Sequence, residues 1–176
     1  MTVDLKDFFS NITHKQVYNA LIENHFADKE AKKITRLTTL NGSLPQGAVT
    51  STALANLVFS STAIEIQAFC VKKGIIFTAF IDDLTFSSNK DFEFYKNDLL
   101  QFIKQNGFRL NHKKIKYRRN SCEVTGLIIK NQMLHLEKEM LNRCWMPQIK
   151  AYANTVAKHN MIISNEKLLN FRKAAF

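Results

Sequence analysis

Residues 75–88 read IIFTAFIDDLTFSS and contain two runs rich in β-branched and aromatic residues. The runs Ile75–Ile81 and Leu84–Ser88 are separated only by Asp82 and Asp83. Such residues favour extended backbone, and two polar residues between two such runs are a strong short-range signal for a β-hairpin. The sequence therefore predicts a hairpin whose tight turn carries both acids.

The segments around this hairpin predict alternating strands and helices. Before the hairpin, they are a short strand at Met1–Leu5, a helix at Lys15–Phe26 capped by Thr13, and a long helix from Thr50 to Lys73. After the hairpin, they are an amphipathic helix at Asp91–Asn106 and an extended segment at Phe108–Leu110. This β-α-β-β-α-β order is typical of a split βαβ, or ferredoxin-like, sheet with helices on one face. The predicted fold class is α+β.

The rest of the chain predicts a second hairpin and a helical tail. The signals are, in order, Val124–Ile129, a turn at Asn131 and Gln132, Met133–Leu136, a helical tail from Lys138 with a break at Pro147, and a last helix capped by Ser164. We therefore expect a main domain at residues 1–136 and a small helical part at residues 137–176.

Chain topology is expected to bring three distant acids together. A right-handed crossover makes the first and second strands parallel, with the third antiparallel between them. The first two strands then end at one edge of the sheet, where Asp4, Asp82 and Asp83 should be neighbours. Carboxylates at such close range repel one another unless cations neutralise them, and Mg²⁺ favours oxygen ligands. The alternative is a solvated Asp-Asp turn and an unrelated surface acid.

Composition restricts the class of partner. Lys and Arg outnumber Asp and Glu by 25 to 15, which gives a formal net charge of +10 and an isoelectric point of about 9.6. This excess favours an anionic partner such as nucleic acid. The 3 cysteines show no C-x-x-C pattern, so neither a disulfide framework nor a zinc knuckle is indicated. With no signal peptide and no apolar run long enough to cross a bilayer, we expect a cytoplasmic protein without membrane contact.

Five strings resemble the motifs of bacterial, retron-type reverse transcriptases and occur in that family's order. They are DLKDFF at residues 4–9 for motif A, LPQGA at 44–48 with ANL at 55–57 for motif B, FIDDLTFS at 80–87 for motif C, GFRLN at 107–111 with Lys113 and Lys114 for motif D, and VTGL at 124–127 for the motif E region and the retron V-T-G signature. Each string alone is a weak pattern, but five in register make coincidence a poor explanation. The resemblance implies a polymerase palm at residues 1–136 and a partial thumb at residues 137–176.

The resemblance implies a metal site at the three acids. By position, Asp4 and Asp82 would bind two Mg²⁺ ions, or Mn²⁺ in their place, with Asp83 supporting them. The carbonyl of Leu5 would offer a backbone ligand. Two such ions can clamp the attacking and leaving oxygens of an in-line phosphoryl transfer.

The resemblance also implies a pocket for the incoming nucleotide. Asp7, Phe9 and Gln46 would line it, and Phe9 would favour deoxynucleotides by crowding the sugar 2′ position, whereas Phe8 is expected in the core. Lys114 would protonate the leaving pyrophosphate. Without the resemblance, Phe9 reads as core packing and Gln46 as a loop amide.

A basic segment follows motif D. Residues that we expect to contact nucleic acid are Lys113, Lys116, Arg118 and Arg119 in this segment and Val124, Thr125 and Gly126 in the V-T-G string. Charge of this density can track a phosphate backbone, although a solvated loop explains the run equally well. Only the resemblance implies that the V-T-G string contacts a structured noncoding RNA.

Some positions depart from the family pattern. Phe80 replaces the usual tyrosine and Ile81 a small residue, while Val49 and Thr52 replace prolines that stiffen motif B. The family places its triphosphate-gripping fingers before motif A, and Asp4 lies at the very start of this chain. We therefore expect a split or truncated enzyme that a separate fingers polypeptide completes, or else a frayed first strand.

Three functions stay open at this stage. The first is an RNA-directed DNA polymerase, which would copy an RNA template from a primer into DNA, with deoxynucleoside triphosphates as substrates and a role in antiphage defence. The second is a catalytically silent nucleic-acid-binding subunit. The third is an abortive-infection-type polymerase that adds nucleotides without a template, and dependence of the product on the template separates the first from the third.

Overall fold

The computed structural model describes residues 1–119, 121–124, 126–130, 133–136, 140, 142–143, 146–149, 151 and 153–161. The chain divides into two compact units, Met1–Tyr117 and Arg118–Phe176. This division falls well before the boundary predicted at residue 136, and the assignment of the parts as palm and thumb stays a prediction. Thr125, the predicted turn at Asn131 and Gln132, and the predicted cap at Ser164 lie outside the described residues.

A three-stranded antiparallel sheet organises the first unit. Its strands are β1 (Thr2–Asp4), β2 (Ile76–Phe80) and β3 (Asp83–Ser87), in the order β1-β3-β2. Because β3 pairs antiparallel with both neighbours, β1 and β2 are parallel and end at the same edge, as predicted. The hairpin is shifted by one residue from the prediction, since the two turn residues are Ile81 and Asp82 and Asp83 already pairs with Phe80.

Five helices accompany this sheet in the first unit. They are α1 (Phe8–Asn11), α2 (His14–Glu23), α3 (Asp28–Thr38), α4 (Ser51–Lys73) and α5 (Lys96–Gln105). The predicted cap of α2 is confirmed, because the Thr13 hydroxyl accepts from the Gln16 N–H and the Gln16 side chain accepts from the Thr13 N–H. Helix α3 was not predicted; it is strongly charged, has no side-chain cap and buries only Ala31 and Thr35.

The first strand is held on both sides, so the alternative of a frayed strand is wrong for this structure. On one side β1 pairs with β3, and the Met1 amino group donates to the buried carbonyl of Phe86 at 2.7 Å. On the other side Thr2 exchanges two backbone hydrogen bonds with Lys116. The extended segment predicted at Phe108–Leu110 is reduced to an isolated bridge between Leu110 and Leu5, and after the 3₁₀ turn at His112–Lys114 a second bridge joins Lys116 to Thr2.

Helix α4 supplies much of the core of the first unit. Its Leu54, Phe59 and Ile66 are buried, and Phe59 packs edge-on against Phe108 with ring centroids 5.0 Å apart. The helix is also long and apolar enough to cross a bilayer by length and composition, which corrects the expectation that no segment is. A core helix of a globular protein has the same properties.

The second unit contains a three-stranded antiparallel meander. Its strands are β4 (Ser121–Val124), β5 (Leu127–Lys130) and β6 (Met133–Leu136), and residues 147–149, 151 and 153–161 are helical. The predicted second hairpin is confirmed, because β5 pairs antiparallel with β6 from Lys130 and Met133 onward. Its first strand begins at Leu127 and not at Val124 as predicted, because Val124 belongs to β4 and pairs with Leu127, and Gly126 between them has a φ of 81°. The Asn160 side chain both donates to and accepts from the backbone of Leu134, which joins the last described helix to β6. Both units together give an α+β protein with small antiparallel sheets.

Candidate active site

A cleft of about 360 Å³ opens at the edge where β1 ends and the β2–β3 turn begins. Its lining residues are Asp4, Leu5, Lys6, Asp7, Phe8, Phe9, Ser10, Gln46, Asp82, Asn111 and Lys114. Seven of the predicted site residues are among them: Asp4, Leu5, Asp7, Phe9, Gln46, Asp82 and Lys114. The structure therefore brings together segments that are far apart in the sequence.

Backbone hydrogen bonds position the acids of the cleft. Asp4 is the last residue of β1 and lies directly opposite Asp83 in the sheet. The Leu5 N–H donates to the Asp82 carbonyl at 2.9 Å, and the Asn111 N–H donates to the Asp4 carbonyl at 2.9 Å. Because these bonds belong to the sheet and its flanking segment, each carboxylate projects from a fixed backbone.

The three acids lie close enough to affect one another. The pKa of Asp83 is raised above its ordinary value, first by burial and then by the negative charges of Asp82 and Asp4, while Lys114 opposes the shift. Asp83 itself does not line the cleft. The mutual repulsion that the sequence predicted is therefore present at this edge.

Lys114 is the counter-charge of this acidic edge. Its Nζ donates to Asp4 Oδ2 at 2.7 Å, and the Asp4 side chain is largely buried while that of Lys114 is mostly exposed. The pKa of Lys114 is raised, first by this hydrogen bond and then by the negative charge of Asp4. The ammonium group thus keeps its proton at neutral pH and partly balances the acids.

The acids fit a hard divalent cation, but the described residues hold no ready-made cage. Within these residues, no group of three or more His, Cys, Asp or Glu side chains is arranged to enclose an ion. Mg²⁺ needs no such cage, since it typically takes one or two carboxylates and completes its octahedron with water and substrate phosphates. Asp4, Asp82, Asp83 and the Leu5 carbonyl remain the predicted ligands.

Two phenylalanines follow β1, and one lies in the core while the other is only partly buried. Phe8 is buried and packs against Phe59 and Phe108, so its placement in the core is confirmed. Phe9 is only partly buried and lines the cleft. Between β1 and α1, Asp7 adopts a left-handed φ of 51° and its carbonyl accepts from the Asn11 N–H, which turns the chain around the mouth of the cleft.

Sequence reasoning missed four residues that line the cleft. Lys6, Ser10 and Asn111 were not predicted as site residues, and Phe8, which was predicted only as a core residue, lines the cleft as well. Lys6 and Ser10 flank predicted residues and could have been inferred from proximity. Asn111 lies in the string that resembles motif D, so the signal was present, but its position beside Asp4 depends on a non-local backbone bond.

The predicted nucleic-acid residues are exposed or partly buried but are not gathered in the cleft. Lys113 and Lys116 are exposed in the first unit and do not line the cleft. In the second unit Arg118 and Arg119 are exposed, and the predicted contacts Val124 and Gly126 are partly buried. Their role in binding remains a prediction.

The turn of the β2–β3 hairpin is strained. Ile81, its first residue, has a φ of 56°, whereas glycine is the usual residue at such a position of a two-residue hairpin turn. A β-branched residue with positive φ is an outlier, because its Cβ crowds the backbone. Strain of this kind tends to occur at functional sites, and here it lies next to Asp82.

We expect Ile81→Gly to unfold with a free energy about 1 kcal/mol greater than that of Ile81→Ala. Both variants remove the packing of the isoleucine side chain, but only glycine adopts a positive φ without strain. Ala79→Gly in β2 is the control and should be destabilising, because glycine loses more conformational entropy than alanine in a strand. Urea unfolding measures all three, and a more stable Ile81→Ala would show that the strain is absent.

Comparison with known proteins agrees with this geometry. The family model described as "Reverse transcriptase (RNA-dependent DNA polymerase)" matches residues 1–129. The chain belongs to the reverse transcriptase family. The matched segment includes every residue of the cleft and the whole of the first unit, so the family match covers the part of the chain that carries the site.

Similar curated proteins are retron reverse transcriptases, which confirms the retron-type resemblance. The chain is 32% identical over 143 residues to the Escherichia coli retron Ec86 reverse transcriptase, and the alignment covers 79% of this chain and 45% of that protein. It is 30% identical over 149 residues to the retron Se72 reverse transcriptase of Salmonella heidelberg (strain 579083-10), with 78% of this chain and 39% of that protein covered. This reverse transcriptase chain thus spans less than half the length of these relatives.

Solved structures support the fold alone. Telomerase from Candida albicans in complex with a fragment of telomeric RNA matches with a TM-score of 0.61 at 12% identity, over 78% of this chain and 30% of that one. Apo telomerase from Candida tropicalis, truncated at its C-terminal domain, matches with a TM-score of 0.57 at 13% identity, over 77% and 35% of the two chains. These two structures therefore share the fold of this chain over the matched residues.

Proposed function

We propose that this chain is the palm of a retron-like RNA-directed DNA polymerase that joins deoxynucleotides to a primer on an RNA template. The observation that carries the proposal is the convergence of Asp4, Asp82 and Lys114 in one cleft, with Phe9 in its lining. An acidic edge beside a lysine suits a reaction in which phosphates are bound and a leaving group takes up a proton. Family membership supports the same activity.

Each residue of the cleft has a separate proposed role in nucleotidyl transfer. Asp4 and Asp82 would hold two Mg²⁺ ions, or Mn²⁺ in their place, with Asp83 and the Leu5 carbonyl in support. When bound, such a pair of ions supplies charge stabilisation for the attacking and leaving oxygens. The chain itself fixes the carboxylates through the backbone bonds of Leu5 and Asn111, and Asp7 and Gln46, which line the same cleft, would contact the nucleotide.

Lys114 is the proposed proton donor to pyrophosphate. We expect Lys114→Gln to slow nucleotide incorporation about 100-fold, within the range typical of general acids. Lys114→Arg should restore little of the rate, because a guanidinium is a much weaker acid than an ammonium group and transfers its proton less readily. Single-turnover incorporation at saturating nucleotide measures both variants. A larger loss in Lys113→Gln than in Lys114→Gln would move the role to the neighbouring lysine.

Phe9 is the proposed barrier to ribonucleotides. We expect Phe9→Ala to raise incorporation of ribonucleotides relative to deoxynucleotides by about 10- to 100-fold, the range that one small steric difference provides. Phe94→Ala removes a ring that is 87% exposed and should leave the ratio unchanged. Competition between the two nucleotide types in primer extension measures the ratio. An unchanged ratio in a folded Phe9→Ala would assign the ring to packing only.

The palm topology is part of the proposal. The strand order β1-β3-β2 supports it, and so do the bridges that place Leu110 and Lys116 beside β1, where the fourth strand of a split βαβ sheet would lie. We assign the second unit up to residue 136, which includes the V-T-G string, to the palm. Residues 137–176, which the sequence predicted as helical, are the proposed partial thumb.

A separate fingers polypeptide is the proposed protein partner. An apolar groove of about 540 Å³ lies between α4 and the edge strand β2, and Ile76 and Phe80 of that strand are 65% and 64% exposed. An uncovered apolar edge strand favours pairing with another segment of polypeptide. Copurification with a polypeptide that carries the fingers motifs of the family, and its loss in Ile76→Lys with Phe80→Lys, would test this partner.

The remaining proposals concern the RNA partner, the cellular location and the biological role of the enzyme. We propose a structured noncoding RNA as a partner that Lys113, Lys116, Arg118, Arg119 and the V-T-G string help to bind. We further propose a cytoplasmic enzyme that acts in antiphage defence. The net charge of +10 supports an anionic partner, and the retron relatives motivate the rest.

Homopolymer templates separate the candidate functions. On poly(rA) with a DNA primer, a template-directed enzyme incorporates only thymidine nucleotides, and on poly(rC) only deoxyguanosine nucleotides. Incorporation that ignores the template would identify an abortive-infection-type polymerase. A folded protein that binds primer–template without any incorporation, also with a fingers polypeptide present, would identify the silent binding subunit.

A further inference from the structure

A second cleft lies in the first unit, away from the acids. It has a volume of about 580 Å³ and lies between α5 and the 3₁₀ turn His112–Lys114. From α5 it is lined by Lys96, Asn97, Gln101 and Lys104, which recur at the spacing of one helical face. The cleft thus presents one continuous face of a helix to whatever it binds.

The chemistry of this second cleft is the opposite of that of the first. Its polar groups are two lysine ammonium groups, the amides of Asn97 and Gln101, and the imidazole of His112, and no carboxylate lines it. Asp98 in the first turn of α5 is not among the lining residues. Within the part of the chain that the structure describes, none of these five polar side chains has a hydrogen-bonded or ion-paired partner. They remain available to an anionic ligand.

The dimensions of the second cleft suit an extended anion. Lys96 and Lys104 are two helical turns apart, which separates their Cα atoms by about 12 Å. A nucleic-acid strand carries a charge at every nucleotide, so each ammonium group can pair with its own phosphate without the two lysine side chains converging. Leu100 and Ile115 supply apolar surface between the polar groups, against which a sugar or base can pack.

We infer that the second cleft binds the sugar-phosphate backbone of an RNA strand, at a site separate from the catalytic cleft. The lysines would contact phosphates. The Asn97 and Gln101 amides both donate and accept, so each can bond a ribose 2′-hydroxyl, which DNA lacks. The inference rests on the proposed function only in taking nucleic acid as the partner.

The same 3₁₀ turn connects the two clefts. His112 at its start lines the second cleft, and Lys114 at its end lines the first and bonds Asp4. RNA bound along α5 would therefore contact the turn that also holds the proposed proton donor. This arrangement distinguishes the second cleft from an arbitrary basic patch on the surface.

The test measures RNA affinity as a function of salt. A fluorescently labelled RNA hairpin with a single-stranded extension is titrated with wild type, with Lys96→Gln/Lys104→Gln, and with Lys29→Gln/Lys33→Gln, which removes the same charge from the exposed face of α3. We expect the α5 variant to bind about 10-fold more weakly and to lower the slope of log affinity against log salt by about 1.5, close to one unit for each lost phosphate contact. The α3 variant should change the slope by less than half as much.

The side-chain amides of Asn97 and Gln101 allow a second measurement, the preference for RNA over DNA, which does not depend on charge. Asn97→Ala/Gln101→Ala should reduce the preference for RNA over DNA of the same sequence at least threefold, with the salt slope unchanged. Equal salt slopes in the α5 and α3 lysine variants would overturn the inference. Displacement of RNA by an acidic peptide at equal charge concentration would also overturn it, in favour of a protein partner.

This outcome is independent of catalysis. Asp82→Asn/Asp83→Asn keeps the second cleft intact, so it should bind the RNA hairpin with the wild-type salt slope whether or not the wild type synthesises DNA. Absence of synthesis by the wild type would therefore count against the proposed function only. An unchanged slope in the α5 variant would count against the RNA site only.

Discussion

The double variant Asp82→Asn/Asp83→Asn should lose DNA synthesis by about a thousandfold or more, on the order of 4 kcal/mol of transition-state stabilisation. Asparagine retains the size of each side chain but removes the charge that would hold a divalent cation. Both residues lie at the β2–β3 turn, where the backbone is fixed by pairing with Phe80 and by the bond from Leu5 to Asp82. Primer extension measures the loss, and far-UV circular dichroism establishes that the fold is retained.

The same variant should be at least as stable as the wild type at pH 7 without divalent cations. The pKa of Asp83 is raised in the folded state by burial and by Asp82 and Asp4, so its ionised form destabilises the fold. The gain in unfolding free energy from neutralising Asp83 is fully present above its raised folded-state pKa. It disappears as the pH falls to the pKa of an aspartate in the unfolded chain, about 3.9. A control, Asp98→Asn on the exposed surface of α5, should change neither property. Loss of folding in the double variant would contradict a metal-binding role for these acids.

Leu84→Ala should cost about 3 kcal/mol of unfolding free energy, within the range measured for buried leucines. Leu84 follows Asp83 in the central strand, is fully buried, and lies between Val3 of β1 and Ala79 of β2. Its removal leaves a cavity in the core next to β1 and β3, the strands that carry Asp4 and Asp83. Because domains of this size are stable by only roughly 5–15 kcal/mol, this loss is a large fraction of the total.

Urea unfolding compares Leu84→Ala with Leu37→Ala, whose side chain is 80% exposed. The surface variant should stay within about 0.5 kcal/mol of the wild type. If both variants lost the same stability, the central position of β3 in the core would be wrong. Weak binding of primer–template by Leu84→Ala at a temperature where it is still folded would further link the core to the geometry of the acids.

The sheet and the position of its acids could be predicted because the signals are local or follow from handedness. The hairpin is evident in residues 75–88, and the right-handed crossover alone places Asp4 beside Asp83. The exact turn could not be predicted in this way. Local preference opposes a positive φ at Ile81, and the two-residue turn between the paired residues Phe80 and Asp83 requires it.

The parts that were missed depend on contacts between distant residues. The Lys114 to Asp4 bond joins residues 110 positions apart, and the support of β1 by Lys116 is equally non-local. Neither leaves a periodic pattern in the sequence. The turn at Gly126 was missed for a different reason, because a run of β-favouring residues gives no sign of where a strand stops.

The central claim is that the acids of this cleft catalyse template-directed DNA synthesis with divalent cations. The most direct test is extension of a labelled DNA primer on an RNA template of defined sequence, with Mg²⁺ or with EDTA, by this chain alone and together with a fingers polypeptide. We predict DNA complementary to the template that requires Mg²⁺ and is lost in Asp82→Asn/Asp83→Asn. Complementary DNA made equally well by the double variant would contradict the claim, as would the absence of product from folded protein in both mixtures.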